Sequence, residues 1–280
     1  MRFKSGHSFS VVSLNKLLNN KYEDHSPLDF HQIEFFVFIL YANGTENHII
    51  DFKDYACKKG TLLAIRKGQI HKFSATDLDG FILVFNYEFL GSFFTESEAQ
   101  KSLLLFNDFL FDSKIQLNKK NFQELFSIAK EIKEEWQNVD DNLSPSIVRS
   151  LLQVFINKLY RIKSSSQEKV SDHQNLTEFI QFQTKIEESY AQSLKVKDYA
   201  QWLGIHSKTL NNITQMVVKK TAKEFIDEIC IKNIKIALVN TQLSIKEIGF
   251  NSGFEENTNF NNYFKNRVGI TPLEFRKKRF

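Results

Sequence analysis

The sequence is poor in residues that cross-link or interrupt a chain. Its 280 residues include two cysteines, three prolines and ten glycines. Cys57 and Cys230 match no metal-binding or redox spacing, so we interpret them as reduced structural thiols rather than as a disulfide scaffold. No stretch reaches the roughly 18 apolar residues of a membrane-spanning helix. No apolar run follows a basic start, and we therefore expect a cytoplasmic protein with no membrane partner.

The fingerprints of common enzyme classes are also missing. The chain contains no P-loop, no G-x-S-x-G motif and no dinucleotide-binding glycine pattern. It has the 42% hydrophobic and 25% charged residues of an ordinary globular protein. The sequence therefore predicts no catalytic residues, no cofactor and no enzymatic activity.

Positive charge is concentrated in the C-terminal part of the chain. Residues 174–280 carry 16 Lys+Arg against 11 Asp+Glu, whereas residues 1–173 carry 21 against 22. Since the whole excess lies in the last 107 residues, we expect that part of the chain to face a polyanion.

Residues 31–90 have the pattern of short β-strands. Apolar or alternating runs such as "HQIEFFVFILY" and "GFILVF" are separated by turn dipeptides that contain glycine. The dipeptides are Asn43-Gly44, Lys59-Gly60, Lys67-Gly68 and Asp79-Gly80. Regular short strands with such turns favour a small antiparallel barrel or jelly roll.

Two helices and a linker follow this region. Apolar residues at helical spacing predict one helix from Asn121 to Trp136 and a second within 144–160. The predicted apolar stripe of the second helix consists of Ile147, Leu151, Val154, Phe155 and Leu159. Together the helices form an antiparallel hairpin, which either completes the core of the barrel or pairs with a second copy of the chain. The polar stretch "KSSSQEKVSD" is the best linker in the chain.

The last hundred residues contain an internal repeat. "VKDYAQWLGI" at 196–205 aligns with "IKEIGFNSGF" at 245–254, and after a one-residue insertion "LNN" at 210–212 aligns with "FNN" at 260–262. The register holds to Phe225 and Phe275. We call 196–225 the first repeat and 245–275 the second repeat. Each repeat reads as a short helix, a glycine-containing turn and a second helix, which is the helix-turn-helix unit.

The second helix of each repeat has an apolar face and an amide-rich polar face. Leu210 and Ile213 pack in the first repeat, and Phe260 and Phe264 pack in the second. Ser207 is the predicted N-cap of the first of these helices. We predict that the outward faces read DNA, because Asn and Gln can bond to adenine and Lys can reach phosphate or guanine. The predicted contact residues are Ser207, Lys208, Thr209, Asn211, Asn212, Gln215, Asn257, Thr258, Asn261, Asn262 and Lys265.

These residues resemble the DNA-binding domain of the AraC/XylS family of bacterial transcription regulators. "SIKEIGFNSGFEENTNFNNYFKNRVGITPLEFRK" shows the family's I-x-E-I-x4-G-F start, its F-x3-F-K core and its G-x-T-P-x2-[FY]-R ending. The first repeat departs from the family pattern at Thr214-Gln215, Lys219 and Ala222. The resemblance implies two recognition helices in successive segments of the major groove, about 34 Å apart. The asparagine-rich faces predict a preference for sites that contain A·T pairs.

The first part of the chain resembles the cupin-like sensor domain of such regulators. "GTLLAIRKGQIH" fits the second cupin motif, with Arg66 in place of proline. A catalytic cupin needs three histidines and usually a glutamate, and only His48 and His71 qualify here, so we predict no metal site. The alternatives are a cupin metalloenzyme with a DNA-binding appendage and a ligand-independent regulator controlled by its abundance.

We therefore predict a sequence-specific transcriptional regulator with an α+β, two-domain fold. An N-terminal cupin-like β-barrel or jelly roll with a helical hairpin precedes a C-terminal all-α double helix-turn-helix domain. The predicted segments are a sensor domain over 1–112, a hairpin with a dimerisation role over 113–163, a linker over 164–173 and the DNA-binding domain over 174–280. The expected partners are double-stranded promoter DNA, a small-molecule effector, RNA polymerase and a second copy of the chain.

Overall fold

The chain divides into two compact units, an N-terminal unit over 1–168 and a C-terminal unit over 169–280. The structure is a computed structural model. It describes residues 8–20, 26–86, 88–89, 104–138, 141–166 and 175–278. No helix in these ranges combines the length and apolar character needed to cross a bilayer.

The N-terminal unit is built on two antiparallel sheets. Its strands are β1 (Phe9–Ser13), β2 (His31–Gln32), β3 (Phe36–Asn43), β4 (Glu46–Ile50), β5 (Lys53–Cys57), β6 (Thr61–Ile65), β7 (Ile70–Lys72), β8 (Asp79–Phe85) and β9 (Lys114–Gln116). The five-stranded sheet has the order β1-β8-β3-β6-β9, and the four-stranded sheet has the order β2-β7-β4-β5. This arrangement of two antiparallel sheets confirms the predicted N-terminal domain of barrel or jelly-roll type.

Strand β3 shows why its sequence is apolar at almost every position. Phe38 and Leu40 lie in one core cluster with the helical hairpin, whereas Val37, Ile39 and Tyr41 lie in a second cluster with residues of the four-stranded sheet. Because successive side chains point to opposite faces, a strand covered on both sides needs apolar residues on both.

Three helices complete the described elements of this unit: α1 (Leu14–Asn19), α2 (Lys119–Asn138) and α3 (Ser144–Ser166). Helices α2 and α3 form the predicted hairpin and pack on the five-stranded sheet through residues such as Leu125, Ile132 and Phe155. The predicted stripe of α3 was partly wrong, because Ile147 and Val154 are 42% and 45% exposed. The buried apolar positions of α3 are Val148, Leu152, Phe155, Ile156 and Leu159. Helix α3 runs three residues into the predicted linker, whose residues 167–173 lie outside the described ranges.

The C-terminal unit is helical. Its helices are α4 (Leu176–Ser189), α5 (Val196–Trp202), α6 (Ser207–Val218), α7 (Ala222–Asn240), α8 (Ile245–Asn251), α9 (Asn257–Val268) and α10 (Pro272–Lys277). Helix α7 is buried on several sides, and its interior residues include Phe225, Ile229, Ile234 and Leu238. It contacts α4, α5, α6, α8 and α10, so both repeats are assembled on one central helix.

Each repeat forms a helix-turn-helix unit, α5–α6 in the first and α8–α9 in the second. The turns contain Gly204 and Gly253 with φ of +68° and +85°, a backbone conformation that favours glycine. A Cβ atom on Gly253 would lie 2.1 Å from the carbonyl oxygen of Ala191. Glycine is therefore required in the second turn for close approach as well as for its φ angle.

Candidate functional site

The outward faces of α6 and α9 hold the predicted contact residues. Ten of the eleven are exposed, and Asn261 is partly exposed. On the inward faces Leu210, Ile213, Phe260 and Phe264 are buried, with at most 3% of their surface exposed. The repeat therefore builds two amphipathic helices whose polar faces are open to a partner.

One local prediction about α6 was wrong. The N-cap of α6 is His206, which has an extended backbone, and Ser207 is the first helical residue. The side chain of His206 makes no capping hydrogen bond, and Ser207 lies on the exposed first turn.

Strong caps fix the helices that frame α9. Ser244 accepts a hydrogen bond from the backbone of Glu247, and the Glu247 side chain accepts one from the backbone of Ser244. Thr271 and Glu274 form the same capping box at α10. In the first repeat a capping box joins Thr221 to Glu224 at α7, but α5 has none at its N-cap, Lys195. Capping boxes satisfy N–H groups that the helix itself leaves unpaired.

A polar cluster centred on Asp227 anchors α9 to α7. The carboxylate of Asp227 accepts hydrogen bonds from the hydroxyl of Tyr263 at 2.7 Å, from Arg267 at 2.6 Å and from Lys223 at 2.7 Å. Burial raises the pKa of Asp227, but the bonds from Lys223, Arg267 and Tyr263 outweigh burial, and the net pKa is lowered. The guanidinium of Arg267 also stacks 3.8 Å from the ring centroid of Tyr263. Arg267 is thus engaged within the fold.

Arg276 is engaged in a similar way. Its Nε donates to the carbonyl oxygen of Leu238 at 3.0 Å, which ties α10 to the end of α7. Part of the positive charge counted in the sequence therefore stabilises the unit. The exposed cations on the outward faces are Lys208 and Lys265.

Asn211 and Thr214 make local contacts that periodicity does not predict. The Oδ1 atom of Asn211 accepts a hydrogen bond from the backbone N–H of Ala222 at 2.8 Å. Thr214 is fully buried, and its hydroxyl donates to the carbonyl oxygens of Leu210 and Asn211 in its own helix.

The interior of the N-terminal unit contains a buried polar cluster. Nδ1 of His48 lies 3.1 Å from Oε1 of Glu46, and Nε2 of His48 lies 3.0 Å from Nδ1 of His71. The hydroxyl of Tyr41 donates to Glu46, whose other oxygen accepts from the backbone of Ser74. Burial, followed by the neighbouring imidazoles, holds the pKa of His71 well below its ordinary value.

His48 and His71 therefore lie side by side in the sheet, and their imidazole rings are joined by a hydrogen bond. In the part of the chain that the structure describes, no group of three or more His, Cys, Asp or Glu side chains is placed to hold a metal ion. The two cysteines are buried and unpaired with each other. Burial raises the pKa of the Cys57 thiol to about 11 and that of Cys230 to about 12.

These observations define a protein with a β-rich N-terminal domain and a C-terminal domain of two helix-turn-helix units. Comparison with known families agrees with that description. Residues 17–152 match the family model of the AraC-like ligand binding domain, and residues 199–278 match that of a helix-turn-helix domain. The chain therefore carries an AraC-like ligand binding domain and a helix-turn-helix domain, and this pair of domains confirms the resemblance to the AraC/XylS family.

Individual relatives cover the chain to different extents. The melibiose operon regulatory protein of Escherichia coli (strain K12) is 30% identical over 92 residues, which are 33% of this chain and 30% of that protein. The chain thus aligns with less than two thirds of that relative's length. The transcriptional activator RhaS of Enterobacter sp. (strain 638) is 21% identical over 99% of this chain and 95% of its own. A crystal structure of ToxT from Vibrio cholerae strain SCE256 with an unsaturated fatty acid bound is 14% identical, with a TM-score of 0.48, over 99% of this chain and 97% of that chain.

Proposed function

We propose that the chain regulates transcription by binding promoter DNA in the cytoplasm through α6 and α9. One observation carries the proposal: the internal repeat presents two amide-rich exposed faces on equivalent helices, and both are assembled on α7. Helices of this kind fit the major groove, and two of them suit segments about one helical turn apart. The proposed contacts are the residues predicted from the sequence except Asn211, whose amide oxygen accepts a hydrogen bond from the backbone N–H of Ala222.

The chemistry of the two faces favours sites that contain A·T pairs. A carboxamide can bond to both N6 and N7 of adenine, whereas the bidentate arginine that reads guanine is absent from both faces. Lys208 and Lys265 supply the charge that approaches phosphate or guanine.

Binding-site selection from random duplexes with the full chain tests this function. We expect one motif with two blocks about a helical turn apart, each containing A·T pairs. Asn262→Ala should relax the preference at one position of the motif. Asn266→Ala is the matched control, because Asn266 is an exposed residue of the same type on the same helix and lies outside the predicted set.

Two outcomes would overturn the proposal. One is a failure to enrich any sequence even at low salt, where phosphate contacts are strongest. The other is enrichment of purely G·C half-sites, which would remove the adenine-reading role of the amides.

We also propose that the N-terminal unit modulates DNA binding in response to a small molecule, without an enzymatic step. The match to a ligand-binding domain family supports an effector, and the bond between His48 and His71 occupies a nitrogen of each imidazole that a metal would need. Thermal shift against metabolite pools tests the effector, and a flat response would favour control by abundance. Stoichiometric iron, manganese or zinc in elemental analysis of the purified protein would favour a metalloenzyme instead.

We propose that a second copy of the chain binds the outer face of α3. RNA polymerase is a further proposed partner of the DNA-bound form. Leu143, just before α3, is 65% exposed, Ile147 follows it after four residues, and Val154 follows Ile147 after seven. This spacing places the three side chains on one stripe, as at a helix–helix seam. Sedimentation at micromolar concentration should show a dimer that Ile147→Lys dissociates. A monomeric wild-type protein would remove this partner.

A further inference from the structure

Asn211 and Asn261 occupy equivalent positions in the two repeats. Each is the fifth residue of its recognition helix, and they are separated by the same 50-residue offset that relates Thr221 to Thr271 and Phe225 to Phe275. Sequence alone therefore gives both asparagines one role. Their surroundings differ at the residue that begins the next helix, which is Ala222 in the first repeat and Pro272 in the second.

Asn211 is bonded to that residue. Ala222 is the first residue of α7, and its backbone N–H is one of the donors that a helix cannot satisfy internally. Ala222 is fully buried, so solvent does not satisfy this donor, and Oδ1 of Asn211 accepts its hydrogen at 2.8 Å. The partner is a donor, which fixes the orientation of the Asn211 amide with its oxygen inward.

Asn261 has no corresponding bond to make. Proline has no backbone N–H, and it is well suited to the first position of a helix for that reason. The amide of Asn261 instead donates through Nδ2 to the carbonyl oxygen of Asn257 at 2.8 Å, within α9. In the described part of the chain, no group donates to Oδ1 of Asn261. Among the described residues, its amide is therefore held by its own helix alone, at a partly exposed position.

We propose that the two equivalent asparagines have different tasks, which the residue at position 222 or 272 decides. Asn261 reads a base through both atoms of its amide. Asn211 is a positioning residue that joins α6 to the start of α7, because its oxygen is turned inward to Ala222 and bidentate reading of adenine needs oxygen and nitrogen together. Asn261 keeps a second N–H on its NH2 group besides the one bonded to Asn257, and among the described residues its oxygen accepts no bond. This inference rests on the proposed DNA-binding function and assigns the reading of one base to the second repeat.

Asparagine-to-aspartate variants of the full chain separate the two tasks. Aspartate keeps an acceptor oxygen for the N–H of Ala222 and loses the NH2 group that adenine N7 requires. Asn211→Asp should leave the ranking of DNA sequences unchanged. Asn261→Asp should lower discrimination at one base position by about 5- to 150-fold. The added negative charge weakens binding to all sequences in both variants, so the readout is the ratio of affinities for two duplexes that differ at one base pair.

A double-mutant cycle, measured by thermal unfolding, tests the contact to Ala222 without DNA. Asn211→Ala should lower the Tm by several degrees, because it leaves a buried N–H unsatisfied. In an Ala222→Pro background the N–H is gone, and the same substitution should shift the Tm by less than about a third as much. Thr221, which precedes position 222, has φ of −68° and ψ of 156°, a conformation that a following proline accepts.

Each outcome decides part of the proposal. Loss of discrimination by Asn211→Asp at one base, with none by Asn261→Asp, would overturn it. An equal Tm loss from Asn211→Ala in both backgrounds would overturn the positioning role. If the wild-type chain enriches no DNA sequence, both the proposed function and the base-reading role of Asn261 are refuted. The double-mutant cycle measured by thermal unfolding still decides the role of Asn211.

Discussion

The two repeats share a backbone frame and differ in how their recognition helices are held. In the second repeat Phe264 is fully buried against Phe275, with ring centroids 5.6 Å apart. The equivalent residue in the first repeat is Thr214. It is also fully buried, but its hydroxyl donates a hydrogen bond within its own helix. The larger aromatic side chain binds α9 to its neighbours, whereas α6 has less apolar contact at this position.

The polar anchors differ in the same direction. Tyr263 and Arg267 tie α9 to Asp227, and the equivalent positions in α6 are the apolar residues Ile213 and Val217. Among the described residues, the polar link of α6 to α7 is one hydrogen bond, which the backbone N–H of Ala222 donates to Asn211. We infer that the second repeat is the more firmly fixed of the two, and that the first gives way more readily under stress.

The largest expected effect comes from removing the aromatic anchor. Phe264→Ala should lower the free energy of unfolding by about 3–5 kcal/mol, because it deletes a fully buried ring and leaves a cavity. Thr214→Ala, its counterpart in the first repeat, should cost only about 1 kcal/mol, since little apolar volume is lost. Urea denaturation of both variants, followed by circular dichroism, measures the difference. Equal losses would show that the two helices are held equally well.

An intermediate effect is expected at Asp227. Asp227→Asn removes the charge that Arg267 and Lys223 face, and it should destabilise the chain by about 1–3 kcal/mol at pH 7. The folded-state pKa of Asp227 is lowered from its ordinary 3.8, so its contribution is present above that pH and is lost as the pH falls through the folded pKa. The gap in Tm between the wild-type chain and Asp227→Asn should therefore close below pH 3.8.

Glu228→Gln is the control for this experiment. Glu228 is the next residue of α7, and it forms an ion pair with Lys220. Each of the two side chains is about 40% exposed. Exposed pairs contribute about 0–1 kcal/mol. A loss from Glu228→Gln as large as that from Asp227→Asn would show that the polar cluster around Asp227 contributes no more to stability than an exposed ion pair.

Much of this architecture could be predicted from the regular spacing of apolar residues and from the internal repeat. Alternating apolar runs between glycine turns predicted the β-rich domain, and the register of the repeat predicted two helix-turn-helix units; the structure confirms both. Three strands were missed. Strand β1 (Phe9–Ser13) alternates, with Phe9 and Val11 buried, but it precedes the region predicted as strands, and the other two lack such a signal. Strand β5 (Lys53–Cys57) buries only Tyr55 and Cys57, and β9 (Lys114–Gln116) is three residues long and buries none.

Individual hydrogen bonds between distant residues are not predicted by the periodicity of apolar residues. The partner of Asn211 is a backbone N–H eleven residues away, and every non-proline residue carries the same group. The contact between His48 and His71 joins strands that are neighbours in the sheet but not in sequence. Only the departure of Ala222 from the family's proline carries a sequence signal for the Asn211 bond, and it acquires meaning once the two repeats are compared in three dimensions.

The smallest expected effect concerns the ends of the two recognition helices. The C-cap of α6 is Lys219, with φ of +58°, and the C-cap of α9 is Gly269, with φ of +86°. A side chain in this left-handed conformation costs about 1 kcal/mol that glycine avoids, although glycine also gains entropy in the unfolded chain. Lys219→Gly should therefore raise stability by about 0.5–1 kcal/mol, and the Tm by about 2–5 °C.

Gly269→Ala is the reciprocal change, and it isolates backbone strain because a Cβ at Gly269 would meet no atom within 4 Å. It should lower the Tm by a similar amount. Differential scanning calorimetry on the wild-type chain and both variants measures the pair. A fall in Tm for Lys219→Gly would mean that unfolded-state entropy outweighs the strain, and the end of α6 would then not be a weak point of the first repeat. A rise for Lys219→Gly with a matching fall for Gly269→Ala would place part of the difference between the repeats at this one residue.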